Sequence, residues 1–127
     1  MELDDNIFGV YKKTENEFDS VSFSNEFILK LHKKDKLVKF EFIMTTKGNF
    51  GKVGKDWYGK GVFRNDHFAL IIEEERDWTY VSENNEITEY LRKKNEILPI
   101  ELYTEERKVI VYHKNFNKYI TLLKNDD

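Results

Sequence analysis

From Leu37 to Met44 the chain reads Leu-Val-Lys-Phe-Glu-Phe-Ile-Met. Side chains of an extended strand leave alternate faces, so Val38, Phe40, Phe42 and Met44 share one side while Lys39 and Glu41 share the other. A helix would need an apolar period near 3.6, and this run has a period of two. It demands a sheet with one buried face and one wetted face. Related runs predict strands over Ile7 to Lys13, Asp19 to Phe23, Glu26 to Lys33, Leu37 to Thr46 and Asp56 to Arg64. Others are predicted over His67 to Glu74, Trp78 to Val81, Ile97 to Tyr103, Arg107 to Lys114 and Lys118 to Lys124. The polar segments between them are too short for the crossovers that parallel strands require. The expected fold is therefore mainly β: a single antiparallel meander in one domain, residues 1–127, closing into a small barrel or a strongly curved sheet.

One segment breaks the period. Ile87, Tyr90 and Leu91 follow i, i+3, i+4, with Glu86 and Glu89 early and Arg92, Lys93 and Lys94 late. That charge order suits a helix dipole, Glu89 and Lys93 form a favourable i, i+4 pair, and Asn84 or Asn85 can cap the start. A single helix is expected over residues 84–95. Elsewhere the composition opposes helices, because Ala69 is the only residue of the best helix-forming type.

Five of the six glycines fall between Gly48 and Gly61. Gly48 to Gly54 reads as a loop. Gly59 and Gly61 lie two apart on one strand face, where bare positions permit a sharp bend or a covering ring, with Trp57, Tyr58 and Phe63 at hand.

Cysteine is absent, which removes disulfides, thiolate metal sites and cysteine nucleophiles. Met1 to Asn6 is acidic and lacks the apolar region of a secretory leader. No apolar run approaches the roughly 20 residues that a membrane-spanning helix needs. A cytoplasmic protein without a membrane partner is the expectation.

Chemical motifs are equally sparse. Gly48 to Lys55 fails as a phosphate loop: five residues, not four, separate Gly48 from Gly54-Lys55, and Asp56 replaces the metal-binding hydroxyl. His32, His67 and His113 share no close spacing, and two of them precede lysine, so no metal and no other cofactor is expected. The basic stretch Lys30 to Lys36 with Lys39 could meet phosphates, but its aromatic neighbours sit at core parity and the pI is near 5.7, so nucleic acid is not the expected partner. No catalytic residue can be assigned.

The net charge of −3 is unevenly spread. Lys30 to Lys60 carries an excess of six positive charges, and Asp66 to Glu106 an excess of eight negative ones. This describes either two faces of opposite sign or alternate strands with solvated edges. The densest run is Glu73-Glu74-Glu75-Arg76-Asp77, expected at the solvated end of a hairpin before Trp78-Thr79-Tyr80. Acids ending beside an aromatic also suit an interface.

Gly9-Val10-Tyr11 on the first strand resembles the Gly-x-Trp/Tyr opening of lipocalin-like and fatty-acid-binding-like barrels, and the short-looped meander and the Gly59/Gly61 kink are similar. The chain departs from that family in its late helix and in lacking a matched arginine-tyrosine clamp. The resemblance implies an apolar ligand-binding interior, for which Phe23, Leu29, Phe40, Phe42, Val62 and Leu70 are candidates. In overall character the chain also resembles small, leaderless, acidic bacterial immunity proteins. That resemblance implies a protein partner, a basic toxin such as a nuclease encoded alongside, neutralised through Glu73, Glu74, Glu75, Asp77 and Glu83 with Trp78 and Tyr80 as anchors. Immunity binding is the leading expectation and the apolar-ligand barrel the alternative. A filled interior favours the first and a continuous cavity above roughly 300 Å³ favours the second.

Overall fold

The computed structural model describes residues 5–18, 22–49, 51–64, 67–114 and 117–125, with side chains for all of these except Asp5, Asn16, Glu17, Phe18, Ser22, Phe23 and Arg64. After a 3-10 turn at Asp5–Ile7, nine strands follow among the described residues: β1 Gly9–Phe18, β2 Ser22–Lys34, β3 Leu37–Gly48, β4 Gly51–Arg64, β5 His67–Val81, β6 Glu86–Leu98, β7 Ile100–Tyr103, β8 Lys108–His113 and β9 Lys118–Asn125. All pair antiparallel in one sheet of order β6-β5-β4-β3-β2-β1-β9-β8-β7.

The two edges of this sheet, β6 and β7, are consecutive in sequence with only Pro99 between them. Leu98 pairs with Leu70 of β5 while Ile100 pairs with Val111 of β8, and Tyr112 N donates to Pro99 O at 3.0 Å. The strongly curled sheet thus brings its edges end to end at a residue that has no N–H to offer a ladder. The expected meander and curvature are present.

Inward residues line up across the strands in level rows. One row is Leu31, Phe40, Gly59 and Ile72; the next is Tyr11, Leu29, Phe42 and Trp57. With Leu70, Leu98, Val109, Val111, Ile120 and Leu122 they form the core, each apolar side chain no more than 5% exposed. Phe42 sits at its centre, 6.4 Å from the Phe27 ring and 6.0 Å from Trp57. Tyr11, the aromatic of the Gly-x-Tyr opening, is buried and donates its hydroxyl to Ile7 O at 2.6 Å, tying the 3-10 turn to the sheet.

Several expectations need correction. No helix occupies residues 84–95; β6 runs there as an edge strand exposed on nearly every residue from Glu86 to Ile97. An exposed edge has no buried face to enforce a period of two, so an accidental helical spacing survived in the sequence. The signals read as helical are used across strands. Glu89 meets Arg76 at 2.7 Å, Lys93 meets Glu74 at 2.5 Å, and Asn84 Oδ1 accepts Glu86 N within a turn in which Asn85 has φ 55°.

The run Glu73 to Asp77 is not a hairpin end, because β5 continues through it, with Glu73 at a bulge and Glu74 to Asp77 paired on both sides. Gly48 to Gly54 is not a loop, because Gly51 to Gly54 already pair within β4. The segment Asp19 to Phe23 is no separate strand: β1 reaches Phe18, Ser22 and Phe23 open β2, and Asp19 to Val21 lie outside the described residues.

Gly59 marks an irregularity in the strand pairing, while Gly61 pairs regularly with Leu70. The β4–β5 register shifts between Tyr58 and Gly59, and a Cβ on Gly59 would lie 1.8 Å from Ile71 O and 2.9 Å from the Phe40 ring. A Cβ on Gly61 would lie 2.3 Å from the Phe68 ring. Phe40 and Phe68 therefore cover these positions, in place of Trp57, Tyr58 and Phe63.

Candidate functional site

Above the Phe42 row, the same strands change chemistry while the ladder continues. The next inward row reads Lys13, Phe27, Met44, Lys55, Asp77 and Tyr90, and the one beyond it Glu15, Asn25, Thr46, Val53, Thr79 and Thr88. β7 to β9 are much shorter than β2 to β6, so they wall the apolar end and leave the polar end open. The result is a cup of about 550 Å³, lined among others by Phe27, Met44 and His113 below and by Glu15, Asn25, Lys55, Asp77 and Lys118 around.

His113 forms part of the floor. It is buried, its ring stacks on Trp57 at 5.1 Å, and Nε2 lies 3.1 Å from Met44 Sδ. Burial first, then the Lys55 charge, holds its pKa below the usual 6.5, so the ring is neutral at pH 7. Two ion pairs face each other across the cup: Lys118 with Glu15 at 3.2 Å, and Lys55 with Asp77 at 3.6 Å.

Glu75 lies where core and cup meet. It is 2% exposed; Oε2 accepts Trp57 Nε1 at 2.6 Å, and Oε1 has Arg92 Nε at 3.3 Å and Lys94 Nζ at 3.9 Å. Burial pushes the carboxyl up, but the Trp57 hydrogen bond with Lys55, Lys94 and Arg92 outweighs it and holds the pKa below 4.5.

The acids expected to form one surface are divided between two. Glu75 and Asp77 point inward, as their partners Trp57 and Lys55 do. Glu74, Trp78 and Tyr80 point outward, and Glu73 sits in the bulge beside Lys60 at 3.8 Å. Glu83 lies in the β5–β6 turn. Nearly all are matched by a cation from β4 or β6, so the basic and acidic stretches of the sequence cancel across adjacent strands.

Of the residues expected to line an apolar cavity, Leu29, Phe40, Phe42 and Leu70 share the filled core. Val62, between inward Gly61 and Phe63, faces out. The Phe23 side chain lies outside the described residues.

A second cluster occupies the outer face of β4 and β5. Asp56 is only 4% exposed there and accepts Arg76 Nη1 at 3.1 Å, Trp78 Nε1 at 3.2 Å and Tyr58 Oη at 3.3 Å. Trp78 lies flat over Gly54, where a Cβ would approach the indole to 2.2 Å. Burial, then Asp56 and Glu41, raises the Tyr58 pKa, so the phenol stays protonated and donates. Beside this cluster, outward Ile87 and Leu91 on β6 are 61% and 63% exposed.

Sequence reasoning missed Lys55, Asp56, Arg92, His113 and Lys118 as site residues. The available signal was Lys55, a charge at the same strand parity as Trp57 and Gly59.

Among the described residues, no three His, Asp or Glu side chains gather to hold a metal ion, and no helix is long and apolar enough to cross a membrane. No protein-family model, curated protein or solved structure matches the chain. Fold and site together describe a curled antiparallel meander with a filled core, a polar cup at one end and a bare edge strand, β6.

Proposed function

We propose that this chain is a binding protein that neutralises a bacterial toxin encoded alongside it, docking through the outer face of strands β5 and β6 at the sheet edge. The observation that carries this reading is the exposed apolar group on β6, Ile87 and Leu91, adjoining outward Trp78 and Tyr80 of the expected surface. Tyr80 stands directly opposite Ile87, and Trp78 opposite Glu89. Large apolar side chains bared together on a rigid sheet are what a protein partner covers, and aromatic anchors supply much of the energy at such contacts. Because Glu74 and Asp77 are already paired with Lys93 and Arg92, attraction of a basic partner by net acidity is the smaller contribution.

The test is capture of the toxin domain from the adjacent gene by the purified chain, repeated with Ile87→Glu. Micromolar or tighter association that the substitution weakens supports the reading. No association of the purified pair overturns it.

A small-ligand role is the second reading, favoured by the cup of about 550 Å³, which exceeds the volume of a modest ligand site. Its lining changes the ligand class from wholly apolar to one with an apolar body on Phe27 and Met44 and polar ends toward Lys55, Asp77, Glu15 and Lys118. Saturable quenching of Trp57 fluorescence by such compounds supports it; a flat titration across amphipathic acids and amines removes it.

A further inference from the structure

β6 ends the sheet, pairing with β5 alone among the described residues. From Glu86 to Lys93 its ladder to β5 is regular, without bulge or proline, so one whole row of backbone donors and acceptors faces outward. Natural edges of this length are blunted by a bulge, a proline or charged side chains; this stretch has neither bulge nor proline, and its inward Arg92 is already held by Glu75 and Asp77.

Its charges are instead sorted by direction. Glu86 and Glu89 occupy the first half, Arg92 and Lys93 the second. Two such strands laid parallel and in register would place like charges together, whereas an antiparallel copy brings acid to base.

We propose that β6 pairs antiparallel with β6 of a second copy of this chain, joining two sheets across a twofold axis. Residues directly opposite in an antiparallel pair share a face, which restricts the axis to a residue position. Centring on Glu89 sets two carboxylates against each other. Centring on Tyr90 sets Glu89 against Leu91 and leaves the outer face without a charge pair. Centring on Leu91 sets Leu91 against its copy, Glu89 against Lys93 twice, and Tyr90 against Arg92 twice.

The last register extends contacts that each chain already makes. Lys93 holds Glu74 at 2.5 Å and Glu89 holds Arg76 at 2.7 Å, so each new pair adds to an existing charge row. Arg92 already lies 5.1 Å over its own Tyr90 ring, the stacking that the partner's ring would repeat. The outer face at Trp78, Tyr80 and Ile87 stays open, so this pairing is compatible with the proposed docking surface, with Leu91 common to both.

Sedimentation equilibrium of the full chain at about 100 μM, where a micromolar Kd is nearly saturated, decides the matter. The wild type is expected to be dimeric, and less so at high salt. Leu91→Arg, which sets two guanidinium groups on the axis, is expected to be monomeric. Glu89→Lys and Lys93→Glu should each weaken the dimer by about tenfold or more, and the double swap should restore it. Circular dichroism and urea midpoints confirm that each variant is folded. A monomeric wild type overturns the proposal, as does a dimer indifferent to Leu91→Arg. A double swap no tighter than its single variants overturns the register.

Discussion

Trp57 Nε1 donates a 2.6 Å hydrogen bond to Glu75 Oε2, joining the upper aromatic of the core to the lower charge of the cup. The two residues face each other directly in the β4–β5 ladder, both at most 5% exposed. A carboxylate at this depth persists because the indole and three cations together outweigh its desolvation.

Trp57→Phe removes the donor and leaves that carboxylate short of a partner. A loss of about 1–3 kcal/mol in urea unfolding is expected. Trp57→Phe combined with Glu75→Gln should lose less than the sum of the two single changes, because both act on one contact. Strict additivity would show that the bond is not coupled.

Acid stability follows from the same group. The Glu75 pKa is lower in the folded protein than its ordinary 4.5. Its stabilisation is therefore complete above the unfolded value and is lost as pH falls from there through the folded value. Between pH 5 and pH 3, wild type should lose more stability than Glu75→Gln; equal losses in urea titrations would contradict this.

His113 acts in a higher window. Its folded pKa is depressed below 6.5 by burial and by Lys55, so below pH 6.5 the unfolded chain takes a proton that the folded chain refuses. Stability should be full above that value, fall by up to about 1.4 kcal/mol per pH unit below it, and level off under the folded pKa. His113→Phe keeps a ring on Trp57 and should flatten the curve between pH 7.5 and 5.5.

Gly59→Ala should cost about 2 kcal/mol or more, because the new methyl meets the Ile71 carbonyl, which moves only if β4 and β5 separate. Gly61→Ala meets the end of the Phe68 ring, which can swing aside, and should cost less. The order of the two urea midpoints is the check.

Changes on the outer face of β6 should separate binding from stability. Ile87 and Leu91 are more than half exposed, so polar replacements there should shift stability by no more than about 0.5 kcal/mol. A substitution that unfolds the chain would show that these β6 side chains contribute to the core.

The reach of sequence reasoning can be traced along β5. Leu70 and Ile72 were legible as inward by parity. Continued unbroken, that parity would have turned Trp78 and Tyr80 inward and Glu75 and Asp77 outward. The irregularity at Gly59 and Glu73 inserts an extra residue and reverses the assignment for everything beyond it. A glycine pair announced a bend, but not which faces it would exchange. β6 failed differently: where neither face is buried, no pattern records the strand.

Alternation of apolar and polar residues, with turns too short for crossovers, determined by itself that this protein is an antiparallel meander with one buried face. These are local properties, set by side-chain geometry along a single strand. Only the tertiary structure decided that the basic and acidic stretches neutralise each other on neighbouring strands, that the core gives way to a polar cup at Trp57 and Glu75, and that β6 stands bare at the edge. Each depends on register between strands and on one bulge, and register is fixed by the summed burial of many side chains acting together.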